Sequence, residues 1–470
     1  MLKKTCKITI SILIFLHSTV SCANKGHEIK VQVQGISDTS SYLAYHFGER
    51  QYLKDTVDVD SDGRFVFSGD ERLPGGMYMI AFPDDQYFEV IIDKNQHFEI
   101  EAEANRFTET IKFKDSPENT SFYEYIRFIR KKSEEVRPIR QELNDPSISD
   151  ERRDLLREKS EVIDHEVKDK REAHIEKFPD CVFSMVLKNH REIPMPETVV
   201  GEDGKPDHDA SYREYKKKYW QYIDFDDERI LRTPVYHSKL KNYFENIVIK
   251  HPDTVKREAD RIIDSTRGNN EIFEYTVWFL TNKYERSQIM GLDAVFVYLV
   301  ENYYKTGEVF WLDDDRLNNI IERAKRLKPT LIGKTAPDIK MYLPDKSPKN
   351  LHDVEAKYTV IYFWDTECPH CKTKTPKLKD LYEKYKNYGL KIFAVNTQTD
   401  SEKWLNYVEK NNLHDWVNVN DARNKSGFRD KYDIYSIPLV FLLDENKKII
   451  AKHIGIEQVQ EIISRDLEEK

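Results

Sequence analysis

After its first twenty residues this 470-residue chain has no long apolar run. Nothing there could supply the ~20 apolar residues of a membrane-spanning helix. Cysteine is scarce, with five in all, at positions 6, 22, 181, 368 and 371. So few thiols, so unevenly spaced, exclude a disulfide-stapled scaffold. A surplus of positive charge is also missing. The 74 Lys and Arg against 83 Asp and Glu leave a net charge of -9, which offers no support for non-specific nucleic-acid binding. No strict internal repeat is visible. What remains is globular: 39% hydrophobic, 12% aromatic and 33% charged residues. At ~150 residues per domain, about three domains are expected.

The first residues read as an export signal. Lys3 and Lys4 supply a positive start, Ile8 to Leu16 a short apolar stretch, and Ser18-Thr19-Val20-Ser21-Cys22 a small-residue cleavage zone. The zone is similar to a bacterial lipobox, although Thr19 stands where that motif usually has Leu, Val or Ile. Residues 1–22 are therefore expected to be a lipoprotein signal, with Cys22 lipidated and the mature protein on the periplasmic side of the cell envelope.

Residues 23–115 predict an antiparallel β-sandwich. Ile29 to Val33 and Val57 to Asp60 alternate apolar and polar residues, Phe65 to Phe67 is a short apolar and β-branched run, and Asp62-Gly63 is a hairpin signal. Residues 116–330 predict a helical region. Phe122, Tyr125, Ile126 and Ile129 share one helix face, and a second helix follows the break at Asp145-Pro146, with Ser149 or Asp150 as its N-cap. The sandwich region carries no cysteine and no clustered His and carboxylates at metal spacing. Cys181 reads as a small buried apolar residue. Residues 331–470 predict an α/β domain. Tyr358 to Trp364 is the uninterrupted run of a buried parallel strand. Strands near 390–395, 416–419, 439–443 and 449–453 and helices near 401–410, 422–432 and 458–467 make a mixed sheet covered on both faces.

Cys368-Pro369-His370-Cys371 follows that buried strand and opens a helix. The first sulfur is thus placed at a helix N-terminus, where unpaired N–H groups and the helix dipole favour negative charge and a nucleophilic thiolate. The second lies one turn on, close enough for a disulfide. Pro369 suits the first helical turn, because its missing N–H would be unpaired there.

Residues 332–470 resemble the thioredoxin-like redoxin family of exported bacterial proteins, the group that includes TlpA and ResA. The resemblance runs through Ala336-Pro337-Asp338, the Phe363-Trp364…Cys368-x-x-Cys371 strand end, and Tyr432-Asp433-Ile434-Tyr435-Ser436-Ile437-Pro438 followed by Leu439 to Asp444. It implies a thioredoxin fold, catalysis by Cys368 and Cys371, and a cis Pro438 beside them, with the Ile437-Pro438 peptide offering backbone groups to substrate. Trp364, Pro369, His370 and Ile437 would support the site. Residues 27–112 resemble the sandwich domains that precede redoxin domains in Bacteroidetes-type lipoproteins. Three positions depart from the family. Tyr362 stands where thioredoxins have a buried Asp, Lys374 where ResA-like proteins have a Glu, and Glu367 where most relatives have Trp.

The function this implies is thiol–disulfide exchange with protein thiols and disulfides, with no cofactor and no resident metal. An unidentified membrane electron donor or acceptor would complete the cycle. Two alternatives stand beside it. One is copper or zinc handling by Cys368, Cys371 and a distant histidine such as His414 or His453. The other is a partner-docking module.

Overall fold

A computed structural model describes residues 26–194, 198–201 and 204–468. The leader with Cys22 lies outside the described residues. The chain forms two compact units. One runs to Asp224 and includes Arg229–Lys239, and the other holds Phe225–Glu228 and everything from Leu240 onward.

In the first unit, β1 (His27–Gln34), β2 (Thr39–Phe47), β3 (Arg50–Val59), β4 (Arg64–Gly69), β5 (Gly76–Ala81), β6 (Tyr87–Ile92) and β7 (His97–Glu103) lead through the short α1 (Phe107–Thr110) to β8 (Lys112–Lys114). They make two four-stranded sheets, ordered β4-β1-β7-β8 and β3-β2-β5-β6. Alternate residues of β1 are buried, Ile29, Val31 and Val33 among them, as a strand with one face on a core requires. The sandwich is antiparallel except at one pair, β1 with β7, which run parallel. Five intervening strands separate them, so no tight turn forces them to run opposite ways.

Two long helices follow, α2 (Pro117–Leu143) and α3 (Asp150–Lys177), then α4 (Val182–Asn189), α5 (His208–Tyr219) and α6 (Val235–Asn242). Ser149 caps α3, its hydroxyl accepting from Arg152 N. Asn119 of α2 is buried and exchanges two hydrogen bonds of 2.7 Å with the Ile91 backbone of β6. The sandwich and α2 therefore share a core, and the helical stretch expected over 116–330 divides between the two units.

The second unit contains α7 (Pro252–Ser265), α8 (Asn270–Glu285), α9 (Asp293–Leu299) and α10 (Asp314–Leu327). The α/β part follows: β9 (Lys340–Tyr342), β10 (Pro348–Asn350), β11 (Tyr358–Trp364), α11 (Pro369–Tyr385), β12 (Leu390–Asn396), α12 (Ser401–Lys410), β13 (Val417–Asn420), α13 (Phe428–Lys431), β14 (Leu439–Leu443), β15 (Ile449–Lys452) and α14 (Ile456–Glu468). The seven strands are ordered β10-β9-β13-β12-β11-β14-β15. Central β11 runs parallel to β12 and antiparallel to β14, and all seven of its residues are buried. Val360, Tyr362 and Trp364 pack in one core cluster with Leu378 of α11 and Val459 of α14. Ile361 and Phe363 pack in the other with Phe428 and Phe441. The helix expected over 422–432 shrinks to α13. Asp421 accepts from Ser426 N at 2.7 Å, and Asn424 and Gly427 adopt left-handed backbone, so a local turn replaces the first helical turns.

Two ion pairs join the helices of this unit to the sheet part. Arg323 of α10 pairs with the buried Asp433 carboxylate, and Lys452 of β15 with Asp293 of α9. Arg323 also lies 4.9 Å from the Tyr435 ring centroid.

Candidate active site

Strand β11 ends at Trp364, and four residues later Cys368 caps α11. Its sulfur accepts a hydrogen bond from the Cys371 N–H at 3.4 Å. This is the N-cap position, where the first orphan N–H groups of a helix converge and stabilise negative charge. Cys368 is half-buried, Cys371 is 1% exposed, and both are free thiols. Pro369 occupies the first turn and His370 is exposed on the same turn. The Ile437–Pro438 peptide is cis, and the Cys368 thiol donates to the Ile437 carbonyl at 3.7 Å. Cys368 and Cys371 thus come together with Ile437 and the half-buried Pro438 from two separate stretches of chain.

Burial pushes the Cys371 thiol up to about 12, the largest cause being loss of solvation for its charged form. The nearby Cys368 thiol and Asp365 carboxylate push the same way, while the Asp365 backbone N–H partly offsets them. The two sulfurs are therefore unlike. One is reachable and sits on the helix end, and the other is sealed below it and held as a neutral thiol.

Trp364 is fully buried and stacks on Tyr362 at 6.1 Å, with the Tyr407 ring 5.2 Å away on its own account. Tyr362 fills the place expected for a buried carboxylate, and its hydroxyl shares a 3.1 Å hydrogen bond with Thr375 Oγ1. Burial raises the Tyr362 phenol, so it stays protonated. Lys374 is half-buried on α11. Glu367 is exposed and pairs with Lys403 at 2.8 Å. Asp365 is half-buried and accepts from Glu367 N at 2.6 Å, which engages its carboxylate in the turn. Neither Thr375 nor Tyr407 stands out in the sequence. The available signal was spacing, since Thr375 follows Cys371 by four residues and so shares its helix face.

Cys181 belongs to the first unit. It is half-buried, and burial with the Glu118 charge pushes its thiol up to about 11. His414 is exposed beside Glu409, and among the described residues no group of three His, Cys, Asp or Glu side chains is placed to hold a metal ion. No helix among the described residues is long and apolar enough to cross a membrane.

Comparison with known proteins follows this division. Residues 355–449 match the Thioredoxin-like family, and residues 27–122 match a domain of unknown function, DUF4369. A thiol-disulfide oxidoreductase ResA from Bacillus cereus is 30% identical over 130 residues, 28% of this chain and 73% of that protein. The crystal structure of a domain of a possible thiol-disulfide isomerase from Cytophaga hutchinsonii is 38% identical, covering 30% of this chain and 97% of that one, with a TM-score of 0.28. A thioredoxin-like protein from Bacteroides caccae is 16% identical, covering 58% of this chain and 98% of that one, with a TM-score of 0.45. Through its last third, this chain belongs to the thioredoxin-fold redoxin family of thiol–disulfide oxidoreductases that includes ResA.

Proposed function

We propose that this oxidoreductase exchanges disulfides with protein thiols through Cys368-Pro369-His370-Cys371, on the periplasmic side of the cell envelope and anchored by lipid at Cys22. The observation that carries the reading is the asymmetry of the pair: a reachable sulfur on a helix N-cap beside the cis-proline loop, over a sealed thiol one turn below.

In the reductive direction the Cys368 thiolate attacks a substrate disulfide, and one substrate sulfur leaves as a thiolate. A mixed disulfide then joins Cys368 to the substrate. Cys371 attacks the Cys368 sulfur, closes the 368–371 disulfide and releases the second substrate thiolate. In the oxidative direction the same steps run backwards. The Ile437 carbonyl lies beside Cys368, where it can receive a backbone N–H of the bound substrate chain. The exchange itself needs no cofactor, and a membrane electron donor or acceptor would reset the pair. The short apolar run ending in Val20-Ser21-Cys22 supports the anchor.

Trapping tests the roles. Cys371→Ala should accumulate covalent complexes with substrate proteins, because nothing remains to resolve them, and Cys368→Ala should accumulate none. Better trapping by Cys368→Ala would reverse the assignment. Intact-mass measurement of the protein from its host tests the anchor. A product beginning elsewhere than Cys22, without lipid, would refute it.

A further inference from the structure

If the 368–371 pair exchanges disulfides with protein chains, as the proposed function has it, the substrate chain must lie along the loop that carries the Ile437 carbonyl. What holds that loop then bears on substrate binding. Among the described residues, the N–H groups of Tyr435, Ser436 and Ile437 have no backbone partner. Side chains fix the loop instead. The Tyr432 hydroxyl donates to the Pro337 carbonyl at 2.6 Å. Asp433, the next residue, is buried and paired with Arg323 of α10. At the other end Ile437 packs against both core clusters.

Between these anchors stands an exposed ring. Tyr435 is 71% exposed, more than any other large hydrophobic side chain among the described residues. It is nevertheless held. The Arg323 guanidinium lies 4.9 Å from its ring centroid. That guanidinium is fixed in turn between two carboxylates, Asp433 and Glu285 of α8, with Glu285 Oε1 3.8 Å from its Nε. A guanidinium is flat, always charged, and well suited to lie against an aromatic ring. A tyrosine offers a large contact area for few rotatable bonds, and a ring already ordered loses less freedom on binding. Tyr435 precedes Ile437 by two residues, a span of at most about 7 Å. The Ile437 carbonyl oxygen is 3.7 Å from the Cys368 sulfur. The ring therefore borders the place of an attacked half-cystine, and an extended substrate covers the same span in two residues.

We propose that Tyr435 is a stacking platform for an aromatic side chain of the substrate, two residues from the attacked half-cystine, and that Arg323 is the positioning residue that holds it. The helices of this unit thereby take part in choosing substrate, while the exchange chemistry stays with the two cysteines. The preferred substrate is an extended polypeptide disulfide flanked by an aromatic residue.

The test uses the full chain carrying Cys181→Ala, reduced and freed of reductant. An excess of a synthetic peptide with one internal disulfide oxidises the 368–371 pair and leaves as its dithiol. One peptide carries phenylalanine two residues outside each half-cystine, and its twin carries alanine there. Samples are quenched in acid, remaining thiols are alkylated, and intact mass gives the oxidised fraction. Rate against peptide concentration gives a half-saturating concentration and a maximum rate. The parent should half-saturate at about three- to tenfold less phenylalanine peptide than alanine twin, the size of one aromatic contact. Tyr435→Ala should raise the phenylalanine value to that of the twin, and Tyr435→Phe should keep the preference. Arg323→Ala combined with Asp433→Asn removes the guanidinium without stranding a buried charge, and should also erase the preference. The change should fall on the half-saturating concentration and not on the maximum rate. No preference in the parent would overturn the platform, and so would a preference that survives Tyr435→Ala. A preference that survives the double variant would overturn the positioning role of Arg323. So would equal weakening of both peptides there, the mark of a general defect, while Tyr435→Ala still decides the platform. If Ellman's reagent oxidises the pair but neither peptide does, the proposed exchange with protein disulfides fails rather than the platform alone.

Discussion

Cys181 and Cys368 occupy the same local geometry in two different units. Each caps a helix, and each sulfur accepts a hydrogen bond from the N–H three residues on, Ser184 N at 3.3 Å and Cys371 N at 3.4 Å. Around Cys181 the chain places Ser184 where a second thiol would be, with Glu118 beside the sulfur and His174 3.7 Å away. Around Cys368 it places Cys371 below and the Ile437-Pro438 loop alongside. A helix N-cap favours a thiolate only to the extent that solvation and neighbouring charge allow. At Cys181 burial and a carboxylate win, and the thiol is pushed up to about 11. Cys368 has what Cys181 lacks, a partner thiol one turn on and the cis-proline loop alongside.

The sharpest way to break this comparison is turnover. Cys368→Ala should reduce insulin reduction to the uncatalysed background, while Cys181→Ala should leave the rate unchanged. Loss of activity in Cys181→Ala with its fold intact would make it a third redox cysteine.

Alkylation gives the next largest difference. At pH 7 a thiol titrating at about 12 is ionised to about one part in 10⁵, and one at about 11 to about one part in 10⁴. Iodoacetamide should therefore label Cys368 far ahead of both, as read by mass spectrometry of the peptides. Labelling of Cys371 should rise about tenfold per pH unit up to about 12. Equal labelling of Cys368 and Cys371 at pH 7 would erase the distinction between them.

The same shifts bear on stability. Burial holds both folded thiols above the ordinary range of a free thiol, so between about pH 9 and 12 the folded chain holds protons that the unfolded chain has lost. Their contribution is full below pH 9 and falls as pH rises through that window. Denaturant midpoints of the reduced protein should drop across pH 9–11, and Cys371→Ala should flatten the drop.

Within the second unit, Arg323→Ala leaves the buried Asp433 carboxylate without its guanidinium. Breaking such a pair from one side costs about 3–5 kcal/mol when fully buried. Arg323 is 22% exposed, so a loss of about 2–3 kcal/mol is expected in urea melts of this unit. Residues 332–470 contain both cysteines, Pro438 and all seven sheet strands, and should fold and react alone. They lack Arg323 and Asp293, so they should melt below residues 240–470. Equal melting would show that the two ion pairs contribute nothing. The smallest effect belongs to Glu367→Gln. Its pair with Lys403 is exposed on both sides, where water and salt screen the attraction, so the urea midpoint should not move measurably.

Much of this was legible in the chain itself. The alternation in β1 and the unbroken apolar run of β11 specify a half-buried and a fully buried strand, because side-chain periodicity must match what each face touches. Cys368, Pro369 and Cys371 announce a helix start because strand, turn and cap are all local in sequence. The short α13 and the parallel β1–β7 pair were less legible. The first depends on the Asp421 side chain outcompeting helical hydrogen bonds, the second on a partner about seventy residues away.

The cysteine motif, the order of strands and helices and the position of Pro438 are properties of residue spacing, and spacing is written in the chain. That Tyr362 meets Thr375 and packs in one cluster with Cys371 and Tyr407 is not, because they come from a strand and two helices whose approach depends on how the sheet is covered. The same holds for Asp433, whose guanidinium partner lies 110 residues earlier. Hydroxyls and charges act over a few ångströms, and only the packed fold brings such distant residues that close.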